Sequence, residues 1–389
     1  VEFRQRRPRA GSHISRLEVH TMRVATKLIF LALLLSSLLA WPQNVKIVIP
    51  AGTPEDKDLS AIAAEPDAQK RISMYEDFLK TYESNKPAAA YAEWQLSQQY
   101  LAAGDTAKAL DYGDKALELY PNDIDIIVSQ IGVVQAMKDN GKVVDYAVRA
   151  ATVFDSIAPQ PKPSDVTDDD WKARVADEQA SARPSYDFAE TAAYNAIASE
   201  QDPAKRMSDI EKFTPAFPKS KFEDQISQLA LYSLQQLNQP QRLEAYGEKA
   251  LAANPDSVPA LLMMANAYSE DSKQSAKAIT YAGKVISLTA NDTDPKKKLA
   301  AGVAHSITGY AYLKQDKLAQ ASTELKTAVG MLQSDPKAEQ EALFRLGYAY
   351  AKQNRRADSI AALQKAAAID GPYQAPAKEM LAKVNRAGK

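Results

Sequence analysis

Ala90–Asp123, AYAEWQLSQQYLAAGDTAKALDYGDKALELYPND, reads helix, tight turn, helix, stop. Apolar and small side chains recur at helical spacing to Leu101, Gly104-Asp105 breaks the run, and Pro121 ends the next one. This unit of about 34 residues has relatives further along the chain. A wider repeat lies over it. LSAIAAEPDAQKRISMYEDFLKTYESNK at Leu59–Lys86 aligns with YNAIASEQDPAKRMSDIEKFTPAFPKSK at Tyr194–Lys221, a shift of 135. YGDKALELYPND at Tyr112–Asp123 aligns with YGEKALAANPDS at Tyr246–Ser257, a shift of 134. Chains patterned in this way stack helix pairs, each burying its apolar face against its neighbours.

Composition agrees with an all-α fold. Alanine is abundant, glycine is low at 14, and only Val45–Ile49 has a strand-like run. The chain has no cysteine, which excludes disulfides, thiolate zinc sites and a cysteine nucleophile. Its three histidines are His13, His20 and His305.

Residues 22–41, MRVATKLIFLALLLSSLLAW, are laid out like an export signal: basic Arg23 and Lys27, an apolar run from Leu28, then Ser36, Ser37 and Ala40 before Trp41-Pro42. Cleavage is expected near Ala40; an uncleaved signal anchor is the second reading. Residues 1–21 are basic and aperiodic, and read as a non-native or disordered extension ahead of Met22 rather than a nucleic-acid arm. Residues 1–41 hold seven Arg and Lys against Glu2 and Glu18, so the rest of the chain carries −6. That balance gives no electrostatic case for nucleic acid.

Residues 42–53 read as a linker, 54–157 as a first helical array and 158–170 as a proline-rich connector. A second array is expected over 171–372, with a capping helix and tail over 373–389. Asp168, Asp169 and Asp170 are expected to lead into a helix from Trp171.

The unit at Ala90–Asp123 resembles the tetratricopeptide repeat through Trp94, Leu96, Ser97, Tyr100, Ala109, Ala116 and Pro121, with Trp94 one place late. The unit from Gly302 carries Gly309, Tyr312, Ala321, Leu325 and Ala328. The unit from Gln340 carries Leu343, Leu346, Gly347, Tyr350, Ser359 in an alanine slot, Leu363 and Ala366. Other units are weaker: Val143 fills an alanine slot, and the unit from Ser257 fits only with one residue inserted before Lys273. The resemblance implies a right-handed superhelical solenoid of antiparallel helix pairs, roughly nine or ten of them over this length. Small residues mark the helix crossings, where overpacking is costly.

Chemistry is sparse. His305 beside Ser306 lacks the partners of a triad or metal site and reads as an ordinary helix residue. The Asp168–Asp170 run reads as helix capping rather than a cation site. Gly302 and Gly309 have helix-packing spacing, not that of a phosphate loop, and Lys296-Lys297-Lys298 reads as solvated. No catalytic, cofactor or metal residue is expected.

The resemblance implies a concave groove lined by first helices that takes peptides or partner helices. Tyr310, Lys314, Phe344, Arg345, Tyr348 and Lys352 are its candidate contacts. The expectation is a non-enzymatic exported scaffold, periplasmic or envelope-associated in a bacterium, with a protein or peptide partner and no cofactor. Membrane contact would come only through residues 22–41, if they are retained. A membrane-anchored assembly adaptor is the alternative, and a glycan-binding or small-molecule module or enzyme stands behind it.

Overall fold

The structure is a computed structural model that describes residues 46–290 and 292–386. The expected extension, signal and first linker residues lie outside the described residues. Among the described residues there are seventeen α-helices and no strand. They are α1 (Pro54–Ala63), α2 (Ala68–Tyr82), α3 (Lys86–Ala102), α4 (Thr106–Leu119), α5 (Ile124–Ala136) and α6 (Asn140–Asp155). There follow α7 (Asp168–Ser199), α8 (Pro203–Ala216), α9 (Glu223–Gln236), α10 (Pro240–Ala253), α11 (Val258–Glu270) and α12 (Ser275–Thr289). The last are α13 (Pro295–Lys314), α14 (Leu318–Met331), α15 (Pro336–Lys352), α16 (Arg356–Ala368) and α17 (Gln374–Arg386). Residues 46–50, which include most of the strand-like run, are irregular.

The fold is all-α and of the helix-pair type, but taken two by two these helices make eight pairs and a final helix, not nine or ten. The expectation divided the chain into uniform units. Instead, α7 runs for 32 residues and absorbs length that a pair would have used. A second correction concerns Asp168–Asp170, which form the first turn of α7 rather than the end of the connector. Thr167 caps that turn, its Oγ1 accepting from the Asp170 N–H at 3.2 Å. The residue inserted before Lys273 is taken up by a 3₁₀ turn at Ser272–Gln274.

Many helix starts are capped by a side chain. Asp67, Asn85, Asp105, Asp202, Asp294 and Asp335 each accept a backbone N–H of the helix they precede. Proline stands in the first turn of α8, α13 and α15, where its missing N–H costs nothing. The tight turns between paired helices place Gly104, Lys138, Asn238, Asp316 and Asn354 at positive φ. Only the first of these is the residue that accepts such a conformation freely.

The described chain divides into two compact units: residues up to 133 with 152–185, and residues 134–151 with those from 186 onward. In the first, Ile72, Tyr75 and Phe78 of α2 pack with Ala88, Ala92 and Leu96 of α3 and Ala109 of α4. In the second, each helix from α8 to α17 packs on its sequence neighbour, and the first helices α9, α11, α13 and α15 also stack on one another. Close approach at the crossings has a visible cause. A Cβ added to Gly309 would lie 2.6 Å from Leu325 Cγ, and one added to Gly347 would lie 2.6 Å from Leu363 Cγ. Ala321, Ala328 and Ala366 are fully buried at the same crossings.

The longer repeat is visible in the contacts. Arg71 Nη1 donates to the Glu65 carbonyl at 2.7 Å, and Arg206 Nη1 donates to the Glu200 carbonyl at 2.8 Å. The Phe78–Tyr82 rings lie 4.5 Å apart, and Phe213–Phe217 lie 4.8 Å apart. The Asp105 N–H bonds the Tyr100 carbonyl as the Gln239 N–H bonds that of Leu234.

Candidate functional site

α13 and α15 are neighbouring first helices, so residues about one turn apart on each share a face. Tyr310 and Lys314 of α13 meet Arg345 of α15. The Arg345 guanidinium lies 4.1 Å from the Tyr310 ring centroid, and Lys314 Nζ lies 5.0 Å from the same ring. Arg345 is buried: Nη2 pairs with Glu341 Oε1 at 2.5 Å, and Nη1 reaches Ser306 Oγ at 3.4 Å. Its charge is answered inside the protein. The hydrogen bond with Tyr310 raises the Lys314 pKa, so this lysine stays cationic.

Phe344 points elsewhere. Its ring lies 5.3 Å from Tyr373 and packs with α16 and α17. Tyr373 donates to Glu341 at 2.9 Å, and burial first, then that carboxylate, pushes its hydroxyl up to about 12. Tyr348 is exposed, and Lys352 lies 5.8 Å from its ring centroid while donating to Asp316 at 3.1 Å. Of the six candidate contacts, Tyr310, Lys314 and Arg345 therefore form one cluster. Tyr348 with Lys352 forms a second, and Phe344 belongs to the end packing.

A small polar cavity of about 50 Å³ lies beside the first cluster, lined in part by Asn266, Ser306, Glu341 and Arg345. Sequence reasoning missed Glu341 and Asn266. Glu341 was accessible as the i−4 partner of Arg345, whereas Asn266 comes from α11 and has no local signal. His305 Nδ1 lies 2.6 Å from Glu324 Oε2, which gives it a partner on α14.

The repeat-packing candidates distribute as follows. Ala109 and Ala116 are fully buried; Tyr100 and Tyr350 are nearly so. Tyr312 and Trp94 are half-buried, and Trp94 stands edge-on to Tyr91 at 6.2 Å. A cation from the following helix start covers the tyrosine at several turns. Lys108 lies 4.7 Å from Tyr100, Lys277 4.6 Å from Tyr268 and Arg355 4.2 Å from Tyr350.

Among the described residues, no group of His, Asp and Glu is arranged to hold a metal ion. No described helix is long and apolar enough to cross a membrane.

Residues 341–369, which span most of α15 and all of α16, match the tetratricopeptide-repeat family model. The all-α helix-pair array is of that repeat's type. A search among curated proteins finds no match to the chain. Among solved structures the chain is similar to yeast Tom70, at 12% identity over 97% of this chain and 76% of that one, with a TM-score of 0.41. It is also similar to a tetratricopeptide repeat protein from Parabacteroides merdae, at 13% identity over 76% of this chain and 98% of that one, TM-score 0.37. A third is the TPR2AB domain of yeast Sti1 in a pHSP90 complex, at 14% identity with the same coverages and a TM-score of 0.28.

Proposed function

We propose that this chain is a non-enzymatic scaffold that binds a protein partner along the first helices of its C-terminal pairs, as an exported component of a bacterial envelope. The observation that carries the binding surface is the pairing of exposed Tyr348 with Lys352 beside the Tyr310–Lys314 cluster. Aromatic rings flanked by cations grip an extended or helical segment through apolar contact and through its carbonyls or carboxylates. A surface fixed by helix packing has little ordering cost on binding. The layout of residues 22–41 supports export.

The test is capture from native envelope extract with the 42–389 protein, compared with Lys314→Glu, Tyr348→Ala and Lys352→Glu. Arg345 is unsuitable, because its reversal would set two carboxylates together in a buried place. Loss of the same captured protein in at least two variants, with helicity unchanged, supports the surface. Capture indifferent to all three sinks it. N-terminal sequencing of the envelope-fraction protein tests export, and a start at or after Trp41 is expected.

A further inference from the structure

The internal duplication supplies a comparison that one copy alone would not. At the end of α3 and α9 the registers agree at a shift of 134, with Gly104 and Asn238 at positive φ and the same turn hydrogen bonds. At that shift Glu93 corresponds to Ser227, Tyr112 to Tyr246, Lys115 to Lys249 and Leu119 to Ala253. In the first copy the longer side chains Glu93 and Leu119 are both half-buried. Glu93 turns a carboxylate into the α3–α4 crossing, where Oε2 is buried without a hydrogen bond, with Lys115 the favourable charge nearby. Lys115 is itself paired to Asp111 at 2.8 Å.

The second copy is open at the corresponding place. A cavity of about 90 Å³ lies among α8, α9 and α10, with Phe213, Phe217 and Ile226 on its apolar side. Thr214, Ser227 and Tyr246 stand on its polar side, and Lys249 and Glu223 at its mouth. Leu119 and Glu93 are replaced here by the shorter Ala253 and Ser227, both of which line the cavity. Asp111 and Glu118 are also replaced, by Ala245 and Ala252, so Lys249 has lost the acidic neighbours that Lys115 keeps. Lys249 has no ion-pair partner among the described residues. Tyr246 stands beside Thr214 and Ser227 on the cavity wall, and burial, the largest influence, raises its pKa, so the hydroxyl stays protonated. The volume equals that of about three waters, room for the short alkyl end of an acid whose carboxylate lies toward the mouth.

We propose that this cavity is a binding site for a short-chain carboxylate, its alkyl end between Phe213, Phe217 and Ile226 and its charged end beside Lys249, Ser227 and Tyr246. The ligand supplies from outside the group that Glu93 supplies from within the chain in the first copy. The source is either a free short-chain acid or a glutamyl side chain of a partner, since both present the same atoms. The site is separate from the α13–α15 surface and does not depend on it.

The test is titration of the full chain with butanoate, followed by NMR shifts of labelled threonine, alanine and tyrosine. Saturable binding with a dissociation constant on the order of 1 mM is expected for so few atoms. Butanol should bind about tenfold more weakly, because it lacks the charge. Lys249→Gln should lower butanoate affinity by a similar factor, and Glu223→Gln should raise it. Ala253→Leu, which restores the first copy's side chain, and Ser227→Glu, which restores its carboxylate, should abolish binding.

Ala253→Leu fills a void and should keep or raise the melting temperature, so its loss of binding would not reflect unfolding. A peptide with a blocked glutamate competing with butanoate identifies the side chain as a source; failure to compete assigns the site to free acids. No shift at about fifty times the expected constant would overturn the proposal. Equal binding of butanol, or binding unaltered by Ala253→Leu, would do the same.

Discussion

At Gly347 a missing side chain lets Leu363 come within contact distance, and the facing Ser359 donates to the Gly347 carbonyl at 2.8 Å. That bond explains why serine occupies a slot where alanine is usual: the residue is small enough for the crossing, and its hydroxyl is satisfied. Ala321 is equally confined, its carbonyl 3.2 Å from where a Cβ on Gly309 would sit. Ala321→Leu is therefore expected to cost about 1–3 kcal/mol, read from the urea midpoint. Glu93 makes a different prediction. Burial pushes its carboxyl up to about 7, above its ordinary 4.5. The folded chain thus holds this proton more tightly than the unfolded chain. Its contribution to stability is full below pH 4.5 and falls as pH rises toward 7. Glu93→Gln should remove that slope and raise stability above pH 7 by about 1 kcal/mol, a figure discounted for partial exposure. Melting temperatures from pH 4 to 8 would check it, and an unchanged slope would refute it.

For the helices, most starts and stops were legible because they rest on local chemistry: an Asp or Asn accepting a backbone N–H, a proline in the first turn, a break between paired helices. The start of α7 was misplaced for a local reason as well. Three prolines ahead of it read as extended chain, and the cap at Thr167 was passed over although Asp170 stands three residues on. Thr167 Oγ1 accepts from the Asp170 backbone N–H and donates to Asp170 Oδ2 at 2.7 Å. Thr167→Ala should cost about 1 kcal/mol and speed hydrogen exchange at Trp171, whose N–H bonds the Thr167 carbonyl. The length of α7 was harder to foresee, because Pro184 lies inside it and such a residue usually ends a helix. The candidate surface was legible only as residue types. That Arg345 is enclosed while Tyr348 is open depends on Glu341, Ser306 and Tyr310 converging from two helices, and spacing along one helix does not report on a neighbour.

Across the whole molecule, stability is a sum of neighbour contacts rather than one core, so separate parts are expected to unfold at different denaturant concentrations. The described tryptophans, Trp94 and Trp171, both belong to the unit built from residues up to 133 and 152–185. With Trp41→Phe, fluorescence would follow that unit alone while far-ultraviolet circular dichroism follows all helices. Two non-coincident urea curves are expected, and superimposed curves would contradict the division. The left-handed residues at the turns carry a further consequence. Lys138, Asn238, Asp316 and Asn354 hold a backbone shape that suits an achiral residue better. Lys138, Asn238 and Asn354 are exposed at their corners, so there the chain retains a set of rigidity adjustments that selection or an engineer can turn without rewriting what the surfaces recognise, whereas Asp316 also holds Lys352.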